Sequence, residues 1–295
     1  MSVQIESSER WGAHLELDDV TITAPLTADI VGRVVALVHR FGFAIVDSAA
    51  HTASGCSVAE RSRHLLEFGN ALGTPVVQSP RNELVEDVKD YSDVDERDDR
   101  GYRSRGELTP HSDPPTLIVL DCVTPARLGG ETSLVSVDSI VRRMLAQDRT
   151  LVDELLAPLP DWRVAGQHGI AVAGPADRPR PVLAYHGGRL SCVLYRPYVE
   201  LGASTAGQPL TSAQTAALDL FERYSMSDDL TLRFRLQPRQ TLVLHNRSVL
   251  HARTDYVDWP DPDRRRHLLR MWIDSPDRFP VHPGHELGDF FAPMT

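Results

Sequence analysis

The residues best equipped for chemistry begin at His111-Ser112-Asp113. On an extended strand, side chains two apart point to the same side. An imidazole and a carboxylate so placed can grip one metal ion from a strand end. Two histidines and one carboxylate on one face of an octahedron leave three positions open for other ligands. A plain surface turn is the competing reading, because Pro110, Pro114 and Pro115 flank the trio. A second set lies toward the C-terminus, in LVLHNRSVLHART followed by DRRRHLLRMWID. It supplies His245, His251, Arg264, Arg265, Arg266 and Arg270. A run such as Arg264-Arg265-Arg266 is ordinarily a solvated turn. Arg270 is different, since it interrupts the apolar stretch LLRMWI, where a lone cation is costly without an anion. A guanidinium there calls for a carboxylate, from the protein or from a ligand. Arg266 and Arg270, four apart, share a face on a strand. The third set is Gly129-Gly130-Glu131-Thr132. Two glycines permit a tight turn or a close backbone approach. The Thr132 hydroxyl could then donate to a ligand carboxylate, although a simple turn between strands would look the same.

These residues need elements to hold them. Residues 27–40 have the apolar spacing of an amphipathic helix, with Ile30, Val34, Leu37 and Val38 on one stripe and Thr27 as its N-cap. Gly42 ends it, and FAIVD at 43–47 predicts a buried strand. A second helix is expected over 57–72. The segment 78–108 is charged and poor in apolar periodicity, so much of it is expected to be an exposed loop, of the kind that often serves as a lid. After Pro110 the spacing predicts strands at 116–122, 132–136, 181–185, 189–195, 230–236, 240–245 and 267–273, with helices at about 137–157 and 212–227. Residues 174–181 predict a surface loop. Many short strands without steady βα alternation point to an α+β chain, with a jelly-roll core (a double-stranded β-helix) and flanking helices. With no internal repeat, low-complexity tract or linker, residues 1–295 are expected to form one domain.

Composition narrows the function. The chain carries 31 basic and 41 acidic residues, net -10, which argues against nucleic acid or an anionic membrane as partner. No run approaches the roughly 20 apolar residues that span a bilayer. The N-terminus, MSVQIESSERWGAHLELDD, lacks the basic start and apolar stretch of a signal peptide. The 3 cysteines, Cys56, Cys122 and Cys192, show no paired spacing, which fits a reducing cytoplasm.

The order HSD, GGET, HART and RRRHLLR, across roughly residues 100–275, resembles the taurine dioxygenase and clavaminate synthase superfamily of iron(II)/2-oxoglutarate oxygenases. That resemblance implies Fe(II) held by His111, Asp113 and His251, with His245 as the rival third ligand. It implies 2-oxoglutarate and O2 as co-substrates, with Arg266 and Thr132 on the 2-oxoglutarate carboxylate. It puts Arg270 near the primary substrate or the other end of the co-substrate, and Glu107, four residues before His111, at the substrate site. Because Asp113 is present, it favours oxygen insertion or another oxidative outcome over halogenation. A negative Glu107 and a positive Arg270 would suit a small amino acid or a derivative of one. A sulfonate, phosphonate or nucleotide, or a desaturation, epoxidation or cyclisation, is the alternative. A zinc hydrolase or a non-catalytic jelly roll with the same residues is the more distant reading.

Overall fold

Gly42 adopts the left-handed conformation (φ 81°) that stops the first helix, and its N–H closes the last turn onto Val38. The chain then enters its first long buried strand. Residues 11–12, 14–52, 55–78, 82–91, 103–160 and 179–287 are described in this computed structural model. The N-terminal half carries β1 (Thr21–Thr23), α1 (Val31–Phe41), β2 (Phe43–Asp47), α2 (Val58–Leu72), β3 (Thr74–Val76), β4 (Val85–Val88), β5 (Leu108–His111), β6 (Leu117–Thr124), β7 (Leu128–Gly129) and β8 (Thr132–Ser136). Then come α3 (Val137–Gln147), α4 (Arg149–Leu156), β9 (Pro158–Leu159), β10 (Arg180–Pro181), β11 (Leu183–His186), β12 (Arg189–Cys192), α5 (Arg196–Thr205) and α6 (Ser212–Ser225). The last strands are β13 (Thr231–Phe234), β14 (Gln240–His245), β15 (Val249–Arg253), β16 (Tyr256–Val257) and β17 (His267–Asp274).

Two sheets form the jelly-roll core. The larger runs β1-β2-β14-β6-β17-β3, with β4 also on β17, and the smaller runs β13-β8-β15-β5. Alternation along each strand builds the layers. Phe43, Ile45, Leu242, Leu244 and Ile118 of the large sheet pack against Leu134, Leu232 and Val249 of the small one. Ala44, Val46, Val243, Val119 and Met271 face the other way, onto Val34 and Val38 of α1 and Leu65 and Phe68 of α2. The outer side of the small sheet, through Val135 and Leu250, meets α3, α4 and α6. Helices thus cover both outer surfaces and leave one end of the sandwich for the site.

Four expectations need correction. Residues 28–30 form a 3-10 turn before α1, and the Thr27 side chain makes no capping bond. The charged segment expected to be a loop contains β4, paired with β17. Its buried face includes a carboxylate, Glu86 (1% exposed), so the apolar alternation that marks a strand is missing there. The expected helix over 137–157 is two helices, because Asp148 ends α3 and caps α4 through Thr150 N. Arg180 and Pro181 form β10 against β9 rather than a loop. Residues 79–81, 92–102 and 174–178 of the expected loops lie outside the described residues. Among the described residues no helix is long and apolar enough to cross a membrane.

Candidate metal centre

His111 closes β5 and His251 lies on β15, and the two are register partners in the small sheet. Their rings are 4.3 Å apart between centroids. Asp113 lies two residues beyond the end of β5, not on the strand itself, so strand alternation alone does not orient it. The turn after β5 is held instead by tertiary contacts. Ser112 bonds the backbone of Leu194 twice, from its N–H (3.0 Å) and at its Oγ (2.8 Å). Asp113 N–H donates to Asn246 Oδ1 at 3.1 Å.

The result is convergence. His111 Nε2 is 3.7 Å from Asp113 Oδ1, and His251 Nε2 is 3.8 Å from Asp113 Oδ2. One donor atom from each residue lies within 4.8 Å of the others, so a single ion could reach all three. His111 Nδ1 is 2.8 Å from the Thr109 carbonyl. That bond assigns the ring proton to Nδ1 and leaves the Nε2 lone pair on the Asp113 side. Burial, followed by the nearby His111, pushes His251 down to about 3, against the pull of Asp113. Its imidazole is therefore neutral at physiological pH, the form that binds metal. Asp113 is opposed by burial, yet His251, His111, Arg270 and Arg247 together hold its carboxyl below the usual value. Two imidazole nitrogens and one carboxylate oxygen are a donor set that suits Fe(II). His245 stands apart from this cluster, with Nδ1 2.7 Å from Ser248 Oγ and its ring stacked on Phe279.

Arg266 immediately precedes β17 and is 6% exposed. Its backbone N–H donates to Asp258 Oδ1 at 2.6 Å, which fixes its base. Its guanidinium lies 5.1 Å from the centre of the Tyr256 ring. Burial pushes the group below its ordinary value, with Tyr256 opposing. Among the described residues its Nη1 is buried with no hydrogen-bond partner. A buried, orphaned donor on a guanidinium fits the carboxylate of a bound acid. The glycine turn approaches it closely: a Cβ on Gly130 would sit 3.3 Å from Arg266 Nε. Gly129 has φ 68° and would clash with the Asp255 carbonyl at 2.2 Å. The two glycines therefore serve close approach, and Thr132 follows at the buried start of β8.

Arg270 reaches the metal cluster from the facing sheet, with Nη1 3.7 Å from Asp113 Oδ2. Its Nε donates to Gln78 Oε1 (2.7 Å) and its Nη2 to Glu86 Oε2 (3.2 Å). Glu107 is exposed, just before β5. Its neighbours Ser104 and Gly106 accept bonds from Arg253 Nη2, two residues after His251. Gln78, Glu86 and Asn246 were not among the predicted site residues. Neither was Tyr195, whose ring lies 6.0 Å from that of His111. A buried cation in an apolar strand signalled that an acid was needed, but not which one.

With the geometry established, the chain can be compared with known proteins. Residues 4–272 match the family described as "Taurine catabolism dioxygenase TauD, TfdA family". The chain belongs to this family. As a TauD/TfdA member it is an Fe(II)- and 2-oxoglutarate-dependent dioxygenase. It is 30% identical over 244 residues to FR-33289 synthase of Streptomyces rubellomurinus (strain ATCC 31215), covering 81% of this chain and 70% of that one. It is 28% identical over 269 residues to uridine-5'-phosphate dioxygenase of Amycolatopsis sp, covering 84% and 90%. An asparagine oxygenase solved with Fe(II), 3-hydroxyasparagine and succinate shares the fold, with a TM-score of 0.63 at 18% identity, covering 86% and 93%.

The buried histidines carry a pH prediction. Burial first, then neighbouring arginines, pushes His245 down to about 3. Burial does the same to His285, also to about 3, although the Pro181 backbone opposes it. In the unfolded chain each titrates at about 6.5. Between those values the unfolded state binds more protons, so stability is fully present above about pH 6.5 and falls as pH drops toward 3. The urea midpoint of the metal-free protein should therefore decline steadily below about pH 6.5. The decline should be shallower in His245→Gln. A midpoint unchanged down to about pH 4.5 would contradict it.

Proposed function

We propose that this dioxygenase hydroxylates an unactivated C–H bond of a small amino acid or amino-acid-derived substrate, with His111, Asp113 and His251 holding Fe(II). The convergence of those three donor atoms, with Arg270 3.7 Å from the carboxylate, carries the reading. Arg266 and Thr132 bind the distal carboxylate of 2-oxoglutarate, in keeping with the orphaned Nη1. Iron(II), 2-oxoglutarate and O2 supply the oxidising power that replaces a hydrogen by hydroxyl, with release of succinate and CO2. The residues contribute geometry. Thr109 keeps the His111 proton on Nδ1. Arg270 brings positive charge beside Asp113 for a substrate carboxylate, and Glu107 offers an ammonium partner at the rim. Arg266 and Arg270 are themselves buried, which strengthens the contacts they make. The asparagine oxygenase solved with hydroxyasparagine supports an amino acid as substrate. The match to uridine-5'-phosphate dioxygenase over 90% of its length favours a nucleotide phosphate as the second reading.

A panel of free α-amino acids, their N-blocked forms, simple alkyl acids and uridine-5'-phosphate separates the two, scored by succinate release. Turnover is expected with some amine-bearing compound, falling a few-fold in kcat/KM for Glu107→Gln, the scale of an exposed pair. Activity confined to amine-free anions, unchanged by that substitution, would remove the amino-acid reading.

A further inference from the structure

Pro114 and Pro115 follow Asp113 and have no N–H to offer a ladder. The carbonyls of residues 113 to 115 must still find donors if they are to be buried. Among the described residues, the side-chain donors to them come from two residues in the turn between β14 and β15. Asn246 Nδ2 donates to the Asp113 carbonyl and, at 2.9 Å, to the Pro115 carbonyl. Asn246 Oδ1 accepts from Asp113 N–H at 3.1 Å. Arg247 Nη1 donates to the Asp113 carbonyl at 2.8 Å, and its Nη2 to the Pro114 carbonyl. Asn246 is 0% and Arg247 2% exposed.

Burying a guanidinium this deeply is costly, and a carboxylate partner would normally offset it. Arg247 instead bonds only carbonyl oxygens among the described residues, its Nε reaching the His285 carbonyl at 3.0 Å. His285 is anchored in turn by Ser191 Oγ at 2.6 Å and the Pro181 carbonyl at 2.8 Å. The turn is itself pinned at both ends. Asn246 N–H donates to the Thr116 carbonyl, and the Arg247 carbonyl accepts from Cys192 N–H. Immediately after this turn comes β15, which carries His251. One connection between the two sheets therefore places His251 through its backbone and Asp113 through its side chains.

We propose that Asn246 and Arg247 are positioning residues of the metal centre, which set the Asp113 carboxylate relative to His251 by gripping the backbone of residues 113–115. This rests on the assignment of Asp113 and His251 as ligands. Neither residue touches a donor atom of the metal site, so their positioning acts through the peptide groups, while the Arg247 charge also helps to lower the Asp113 carboxyl. Loss of such outer partners typically weakens metal binding about 10–100-fold.

The test titrates metal-free protein anaerobically with Fe(II) in the presence of 2-oxoglutarate, following the charge-transfer absorption of the chelate. Wild type, Asn246→Asp, Arg247→Met, His251→Ala and Met144→Ala are compared, each with a thermal unfolding curve. Met144 is buried in the α3 core away from the site and serves as a destabilised control. Asn246→Asp keeps the acceptor for Asp113 N–H and replaces the donor to two carbonyls with a repelling oxygen. The Fe(II) dissociation constant is expected to rise about 10–100-fold in Asn246→Asp and Arg247→Met, with most of kcat recovered at saturating iron. Met144→Ala should bind iron like wild type despite a lowered Tm. If Arg247→Met does not fold, Asn246→Asp decides. Wild-type iron affinity in the folded variants, or a loss in Met144→Ala as large as theirs, overturns the proposal. Wild-type affinity in His251→Ala overturns the ligand assignment instead.

Discussion

Replacing His111, Asp113 or His251 with Ala should abolish substrate-dependent succinate formation, while His245→Ala keeps measurable turnover. Each of the three contributes one donor atom to a cluster spanning no more than 4.8 Å, so deleting any one leaves two protein ligands for the ion. Fe(II) is bound by geometry and donor type more than by raw affinity. Two-thirds of a facial set should not retain it against solvent and chelators. His245 is the internal control. It belongs to the same sequence block, only six positions before His251. It spends its Nδ1 on Ser248 and its ring face on Phe279, and it lies outside the cluster. Its replacement costs packing, not a ligand. Succinate release measured with Fe(II) and each variant decides the matter. An inactive His245→Ala beside an active His251→Ala would overturn the ligand set.

What could be read in the sequence divides along physical lines. Features set by local chemistry were legible. The stripe of α1 and its glycine stop, the helix α2, and the apolar strands β2, β6, β14 and β17 all follow from periodicity and turn residues. Features set by tertiary partners were not. β4 looks like a charged loop because its inward carboxylate, Glu86, pairs with Arg270, 184 residues later in the sequence. Asp113 looks like strand position i+2, yet it lies past the end of β5 and owes its direction to Asn246, 133 residues away. The short α5 carries Pro197 in its first turn and no strong apolar stripe, so its placement of Tyr195 at the edge of His111 had no sequence signal. For the site itself the motif order singled out His111, Asp113 and His251, which the fold brings together, while the placing of Asp113 and Glu86 around one buried arginine, Arg270, had no local signal.

Arg266→Ala should raise the 2-oxoglutarate requirement by orders of magnitude and leave the Fe(II) requirement nearly unchanged. Three arginines stand in sequence, and the structure separates them. Arg264 is exposed, its guanidinium 3.9 Å from the centre of the Trp259 ring. Arg265 is half-buried, and Arg266 is 6% exposed with a buried Nη1 that has no partner among the described residues. Only the last has already lost its water. An anion that binds there gains a charge-assisted pair without the desolvation cost that an exposed arginine would impose on binding. Truncating one member of such a buried pair typically costs about 2–5 kcal/mol, or roughly 30- to several-thousand-fold in affinity. Exposed pairs contribute about 0–1 kcal/mol, so Arg264→Ala should shift the 2-oxoglutarate KM no more than a few-fold. Arg266→Lys should recover little, because a point-like ammonium cannot reproduce a fork-shaped contact and has no planar group to lie against Tyr256. The 2-oxoglutarate KM of the three variants, measured at saturating iron, tests this directly. Equal and small shifts for Arg264→Ala and Arg266→Ala would mean that the run is a charged turn and that the co-substrate is bound elsewhere.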